Sequence, residues 1–191
     1  MKVRLLQALF LLLGFFFSLS ANAQQNDRVE VFGGYAYTGY SVFALYSGPW
    51  QRDSFNGWEA SAAFKLVPHL GAEVDFGGGY SSANGHSYSL RTYLVGPRIS
   101  ADFHGVSIYG HALFGELIFN GASGYANGNG SFATTLGGGA DYWISRHIGV
   151  RLIQADYLRN NNTAAAQSGT GGIGPGNNFR IATGAVFRFG R

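Results

Sequence analysis

The side chains best able to carry charge or hold a metal are 5 His, 10 Asp and Glu and 13 Lys and Arg; the chain has no cysteine. That absence excludes a disulfide scaffold, a thiolate metal site and a Cys nucleophile. The imidazoles are His69, His86, His104, His111 and His147. His69, His104 and His147 fall in or beside short turns and His86 in a loop, where a histidine is ordinarily a solvated surface residue. His111 lies instead in an extended segment with Ser107 and Glu116, the residue types of nucleophilic catalysis. Glu116 has the opposite parity to the other two, so alternation along a strand keeps the three off one face. No His-x-Glu-x-x-His spacing is present for zinc. The runs Gly77-Gly78-Gly79 and Gly137-Gly138-Gly139 open no helix and lack the Lys-Ser/Thr pair of a phosphate loop. No catalytic residue, metal or cofactor is therefore expected, and the chain does not read as an enzyme.

The remaining charges are few, 12% of 191 residues against about 25% in typical globular proteins. The basic pI of about 9.3 misleads, because Lys2 and Arg4 sit at the extreme N-terminus. The rest of the chain is close to neutral and gives no electrostatic case for nucleic acid. Met1-Lys2-Val3-Arg4, the apolar run Leu5 to Leu19 and Ala21-Asn22-Ala23 form the three parts of a secretory signal peptide. The expected organisation is a leader over 1–23, cleaved after Ala23, and one exported domain over 24–191.

Within that domain hydrophobicity alternates with period two, the mark of strands with one apolar and one polar or small face. Val31, Gly33, Tyr35 and Tyr37 oppose Glu30, Phe32, Gly34 and Ala36; Trp58, Ala60, Ala62 and Phe64 oppose Glu59, Ser61, Ala63 and Lys65. Ala72, Val74 and Phe76 oppose Glu73, Asp75 and Gly77; Thr134, Leu136, Ala140 and Tyr142 oppose Thr135, Gly137, Gly139 and Asp141. Phe179, Ile181, Phe187 and Phe189 oppose Arg180, Ala182, Gly184 and Arg188. In 87–99 the pattern sets Tyr88, Leu90, Thr92 and Leu94 on the apolar face and Ser89, Arg91, Tyr93 and Val95 on the polar one. Segments 106–119 and 148–158 read less cleanly, and a β-bulge in each would bring their polar residues into phase. The expected strands are 28–38, 56–66, 70–80, 87–99, 106–119, 131–144, 147–158 and 178–189. Short connections at 67–69, 101–105 and 145–146 alternate with long polar ones at 39–55, 81–86, 120–130 and 159–177.

Charge placement decides which face is the interior. The polar faces carry Glu30, Glu59, Glu73, Asp75 and Asp141 with Lys65, Arg91, Arg151, Arg180 and Arg188, a set able to neutralise itself inside a lumen. Aromatics such as Tyr35, Tyr37, Trp58, Phe64, Phe76, Tyr80, Tyr88, Tyr142, Phe187 and Phe189 fall near strand ends on the apolar face, as in interfacial girdles. The fold expected is an all-β, eight-stranded antiparallel up-and-down transmembrane β-barrel. Eight strands leave an interior about wide enough for side chains to fill, so a polar plug outweighs an ion path as the role of these charges.

These stretches resemble the small eight-stranded outer-membrane β-barrels of Gram-negative bacteria, the OmpA transmembrane domain and opacity-type proteins among them. The likeness rests on 29–35 (VEVFGGY), Asn56-Gly57-Trp58-Glu59, Gly96-Pro97-Arg98, 137–142 (GGGADY) and 184–189 (GAVFRF). The last stretch is similar to the strand signal read by the barrel-assembly machinery, with Gly184, Phe187 and Phe189 at its spacing. It departs from that signal at Ala182 and in the trailing Gly190-Arg191. The resemblance implies residence in the outer membrane, contact with its lipid and with the assembly machinery, and four outward loops able to meet a surface ligand. The role expected is structural or interactional, supporting envelope integrity or surface contact. A small low-conductance porin, a lipid-modifying enzyme and a soluble lipocalin-like barrel are the alternatives.

Overall fold

A computed structural model describes residues 29–42, 51–83, 86–120, 129–160 and 177–190. The expected leader lies outside the described residues, as do 43–50, 84–85, 121–128 and 161–176 of the connections expected at 39–55, 81–86, 120–130 and 159–177. Eight strands close into one barrel in sequence order: β1 (Val29–Val42), β2 (Gln51–Val67), β3 (Leu70–Ala83), β4 (His86–Phe103), β5 (Val106–Asn120), β6 (Asn129–Trp143), β7 (Ile148–Asn160) and β8 (Asn177–Phe189). All neighbours are antiparallel, and β1 closes on β8 from Val29↔Phe189 to Gly39↔Phe179. Closure satisfies the backbone on both sides of every strand and leaves no sheet edge.

One end carries three tight turns together with the start of β1 and the finish of β8; the opposite end carries the four other connections. At the turn end, β4 passes to β5 through His104 and Gly105 alone, both at positive φ (44° and 90°). Two left-handed residues match the twist of a hairpin, and Gly105 takes the larger φ because it has no Cβ to clash. At the other end the strands run further than alternation suggested. Gly39–Val42 pair with Gln51–Ser54 where a loop was expected, since Tyr40 and Phe55 continue the inward face and pack edge to face with ring centroids 6.3 Å apart.

The expected faces hold in β1, β2, β3, β6 and β8. In β7, Asp141 pairs with Arg151 while Ala140 pairs with Ile153, so a bulge turns Leu152 and Ile153 both outward. That single extra residue brings Arg151 and Asp156, of opposite parity, to the same inner face. β5 differs from expectation: its register to β4 and β6 is unbroken, Ser107 through Phe119 face inward on odd positions throughout, and Glu116 faces outward without a bulge. β4 is the reverse of the face assigned to it. Tyr88, Leu90, Thr92, Leu94 and Arg98 point in, while Arg91, Tyr93, Val95 and Ile99 point out. Both faces of β4 are apolar enough to meet lipid, so hydrophobicity alone could not orient it; Tyr93, Val95, Pro97 and Ile99 make the longer uncharged run.

The outside of the barrel is apolar over most of its height. Leu66, Ile99, Leu136 and Ile144 are each at least 60% exposed, within a continuous surface of Val, Ile, Leu, Phe, Tyr and Trp. Soluble monomers rarely show apolar patches beyond a few hundred Å². Tyr35, Trp58 and Tyr80 stand towards the loop end of this surface, and Phe64, Tyr142, Phe187 and Phe189 at the turn end. Tyr88 is the exception among the expected girdle residues, because it stacks on Phe119 inside.

Candidate functional site

The interior is filled in two tiers. Towards the turn end, inward positions on all eight strands converge on a network of charged groups. At its mouth Glu30 accepts from Arg98 (2.9 Å) and Arg188 (2.8 Å), with Lys65 at 3.6 Å. Lys65 and Arg188 also reach Asp102 (3.1 and 3.3 Å), whose other partner is the Ser107 hydroxyl. Trp143 Nε1 donates to the same hydroxyl at 2.7 Å, and the Arg188 guanidinium lies 3.8 Å over the Trp143 ring.

One layer deeper, Arg151 Nε donates to Asp141 (2.8 Å) and its Nη1 to Gln154 Oε1 (2.5 Å). Arg98 stacks 3.8 Å from the Tyr109 ring and Arg151 4.0 Å from Phe32, so the planar faces of both guanidinium groups are covered by aromatic rings. Gln154 ties this layer to the next: its Oε1 also accepts from Tyr109 (2.7 Å), and its Nε2 donates to Glu59 (2.7 Å) and Asp156 (2.8 Å). The innermost guanidinium, Arg180, meets three carboxylates, Asp75 (2.9 Å), Asp156 (2.7 Å) and Glu59 (3.0 Å). His111 stands between Glu73 and Asp156 with each ring nitrogen 2.9 Å from a carboxylate oxygen. Ionised carboxylates only accept, so both ring nitrogens donate and the ring is an imidazolium. With that charge six cations, Lys65, Arg98, Arg151, Arg180, Arg188 and His111, meet six buried carboxylates, Glu30, Glu59, Glu73, Asp75, Asp141 and Asp156, and half-exposed Asp102 adds a seventh carboxylate at the mouth.

Towards the loop end the same lumen is mainly apolar, with uncharged Ser131, Asn160 and Asn178 buried on the same face. Tyr40, Phe55, Leu90, Leu94, Leu113, Leu117, Phe119, Ala133 and Leu158 form one buried cluster, packed edge to face at Phe55–Phe119. Where the tiers meet, beside Leu90, Thr92, Leu158 and Arg180, a cavity of about 10 Å³ remains. That is room for about one water.

Of the residues that sequence alone placed in the lumen, Glu59, Lys65, Glu73, Asp75, Asp141, Arg151, Arg180 and Arg188 face inward; Arg151 pairs with Asp141 and Arg180 with Glu59 and Asp75, while Lys65 and Arg188 join the network through Glu30 and Asp102, and Glu73 through His111 and Arg98. Arg91 does not: the reversal of β4 puts it on the outer surface, exposed, between Gly78 and Ile118 of the flanking strands. Its place inside is taken by Arg98, which shares parity with Leu90 and Leu94 and was visible only as part of Gly96-Pro97-Arg98. His111, Gln154, Tyr109 and Asp156 also enter the network unanticipated. The β7 bulge was the signal for Asp156, while the cross-barrel partners of His111 had none. Ser107, His111 and Glu116 do not converge: Ser107 is held by Asp102 and Trp143, His111 by two carboxylates, and Glu116 lies outside. Among the described residues no three His, Asp or Glu side chains are arranged to hold a metal ion. The glycine runs lie within β3 and β6 rather than at a helix start. Gly184 faces inward where a methyl group would strike the Gly33 carbonyl and Gly34 Cα of β1, while Phe187 and Phe189 are exposed on the outer face.

No protein-family model matches the chain, and no curated protein matches it in sequence. Solved structures do match in shape. The crystal structure of Neisserial surface protein A superposes with a TM-score of 0.64 at 13% identity, over 84% of this chain and 97% of that one. Ail, the attachment invasion locus protein of Yersinia pestis, gives 0.53 at 15% identity, over 86% and 100%. The N-terminal β-barrel domain of Pseudomonas aeruginosa OprF gives 0.53 at 14%, over 87% and 100%. The chain thus has the fold of the small eight-stranded outer-membrane β-barrels, closed strand for strand and apolar on its outside.

Proposed function

We propose that this chain is an exported, non-conducting barrel of the outer membrane whose work is structural and interactional. Its apolar band sits in lipid, its turn end faces the periplasm, and its loop end, with the connections expected at 39–55, 120–130 and 159–177, is the part that meets the surroundings. Residues 1–23 direct export and are removed, and Gly184, Phe187 and Phe189 address the chain to the assembly machinery. The observation that carries the sealed-barrel reading is the filling of the lumen: an ion-paired network at one end and an apolar cluster at the other, with a small cavity where they meet. Ion passage needs a continuous wet path, and the apolar tier interrupts it. Two of the similar folds are named for the cell surface or for attachment, which fits loops as the interactive part.

Planar-bilayer recording of the refolded chain tests this reading. The expected result is no unitary current from barrels that circular dichroism shows to be folded. Steady currents would overturn the seal and make the chain a small porin. Recovery of the native protein in the supernatant after a urea wash of membranes would instead end the membrane reading and favour a lipocalin-like barrel.

A further inference from the structure

Across the described outer faces of the eight strands, three side chains carry charge: Arg91 on β4, Glu116 on β5 and Arg159 on β7. They are not scattered. Arg91 lies 12 residues from the turn end of its strand, Glu116 10 and Arg159 11. Strands tilted by about 40° climb about 2.5 Å per residue, which sets all three about 25–30 Å above the turns. An outer-membrane barrel's apolar band is about 25 Å tall, so the three stand together at its upper boundary. All lie on the β4–β7 side. At the corresponding height on β2 the outer face carries neutral amide and hydroxyl groups instead, Asn56 and Ser54, which bond Tyr35 and Tyr37 reaching up from β1. No carboxylate approaches either guanidinium within ion-pairing distance among the described residues, so both cations are left for something outside the protein.

We infer that Arg91 and Arg159 form a binding surface for the phosphate groups of lipid headgroups in the leaflet at the loop end. The inference rests on the membrane reading above. A guanidinium presents paired N–H donors to phosphate oxygens, and an arginine held at the lipid boundary meets phosphate before it meets bulk water. Three inter-strand steps separate β4 from β7, about 14 Å, so the two arginines take separate phosphates. Tyr93 below Arg91 and Tyr157 below Arg159 are both exposed on the same face and suit the headgroup boundary. Glu116, opposite Tyr93 on β5, repels phosphate from the ground between the arginines and so marks where each headgroup docks.

Spin-labelled phosphatidic acid and spin-labelled phosphatidylcholine, each bound at the surface of the refolded full-length barrel in phosphatidylcholine vesicles, give the test as a ratio of association constants. Flotation of the vesicles first shows that the protein has inserted; failure there would refute the membrane reading and not this site. With insertion established, the expected result is preference for phosphatidic acid, falling by about half in Arg91→Gln, by about half in Arg159→Gln, and to near unity in the double variant. Glu116→Gln should raise the preference, and inorganic phosphate should not compete. No preference in the native chain, preference retained by the double variant, or a loss in Glu116→Gln would each overturn the proposal.

Discussion

At the turn end of the lumen the buried charges are tied to one another by ion pairs and hydrogen bonds, whereas at the loop end the same barrel is filled mainly by leucines and phenylalanines that need only volume. The two tiers are built on the same strands: β1 contributes Glu30 below and Tyr40 above, β2 Glu59 and Phe55, β5 His111 and Leu117. The comparison separates two kinds of cost. In the polar tier, losing one group strands its partners as unpaired charge in a dry interior. In the apolar tier, losing a group leaves a cavity whose cost scales with its size. Polar matching also fixes register, because sliding β3 or β8 by two residues would separate Arg180 from Asp75, whereas the same slide leaves an apolar side chain against apolar neighbours.

The largest effect is expected where one cation serves the most anions. Arg180→Leu leaves Glu59, Asp75 and Asp156 without their shared counter-charge and should cost about 3–5 kcal/mol. Urea unfolding of the barrel refolded in phospholipid vesicles measures this as a shift in midpoint with the slope unchanged. Below it comes the apolar tier. Leu113→Ala, at a fully buried position in the upper cluster, should cost about 2–4 kcal/mol. A cost for Arg180→Leu no greater than that for Leu113→Ala would mean the network is solvated and the two tiers do not differ in kind.

The histidine refines the comparison through coupling. His111→Leu should cost about 2 kcal/mol by leaving Glu73 and Asp156 facing an apolar side chain. Adding Glu73→Gln should recover part of that loss, since one stranded charge is removed with it. A double-mutant cycle over the four proteins reads the coupling, and strict additivity would mean that His111 and Glu73 do not interact in the folded barrel.

How far the sequence exposed this arrangement follows from the same division. Where the lumen is polar, alternation identified the inner face: Glu73 and Asp75 on β3, Arg180 and Arg188 on β8. Where the lumen is apolar, inner and outer faces of a strand look alike. That is why Leu90 and Leu94 were assigned to lipid and Arg91 to the interior, and why Arg98 went unnoticed although it shares their parity. The β7 bulge was foreseeable from the clash of parity between Arg151 and Asp156, but in β5 a similar clash came from Glu116 at the outer rim, where a charge facing outward meets headgroups. Partners such as Arg180 and Asp75, 105 residues apart, needed closure of the barrel before they could be named.

The smallest effect should come from the seam between the tiers, at Thr92 on β4. Its hydroxyl is buried without a protein partner, beside the small cavity that Arg180 also lines. Thr92→Val keeps the shape and removes an unsatisfied hydroxyl, so by the packing of the protein alone it should be neutral or slightly stabilising, within about 1 kcal/mol. If a water occupies the cavity and joins Thr92 to Arg180, the same change removes a bridge from the polar tier and stability falls by more than that margin. A neutral result in the vesicle unfolding assay therefore ends the polar tier at Arg180 and counts Thr92 with the leucines. A clear loss moves the boundary up by one layer and makes a bound water part of the network.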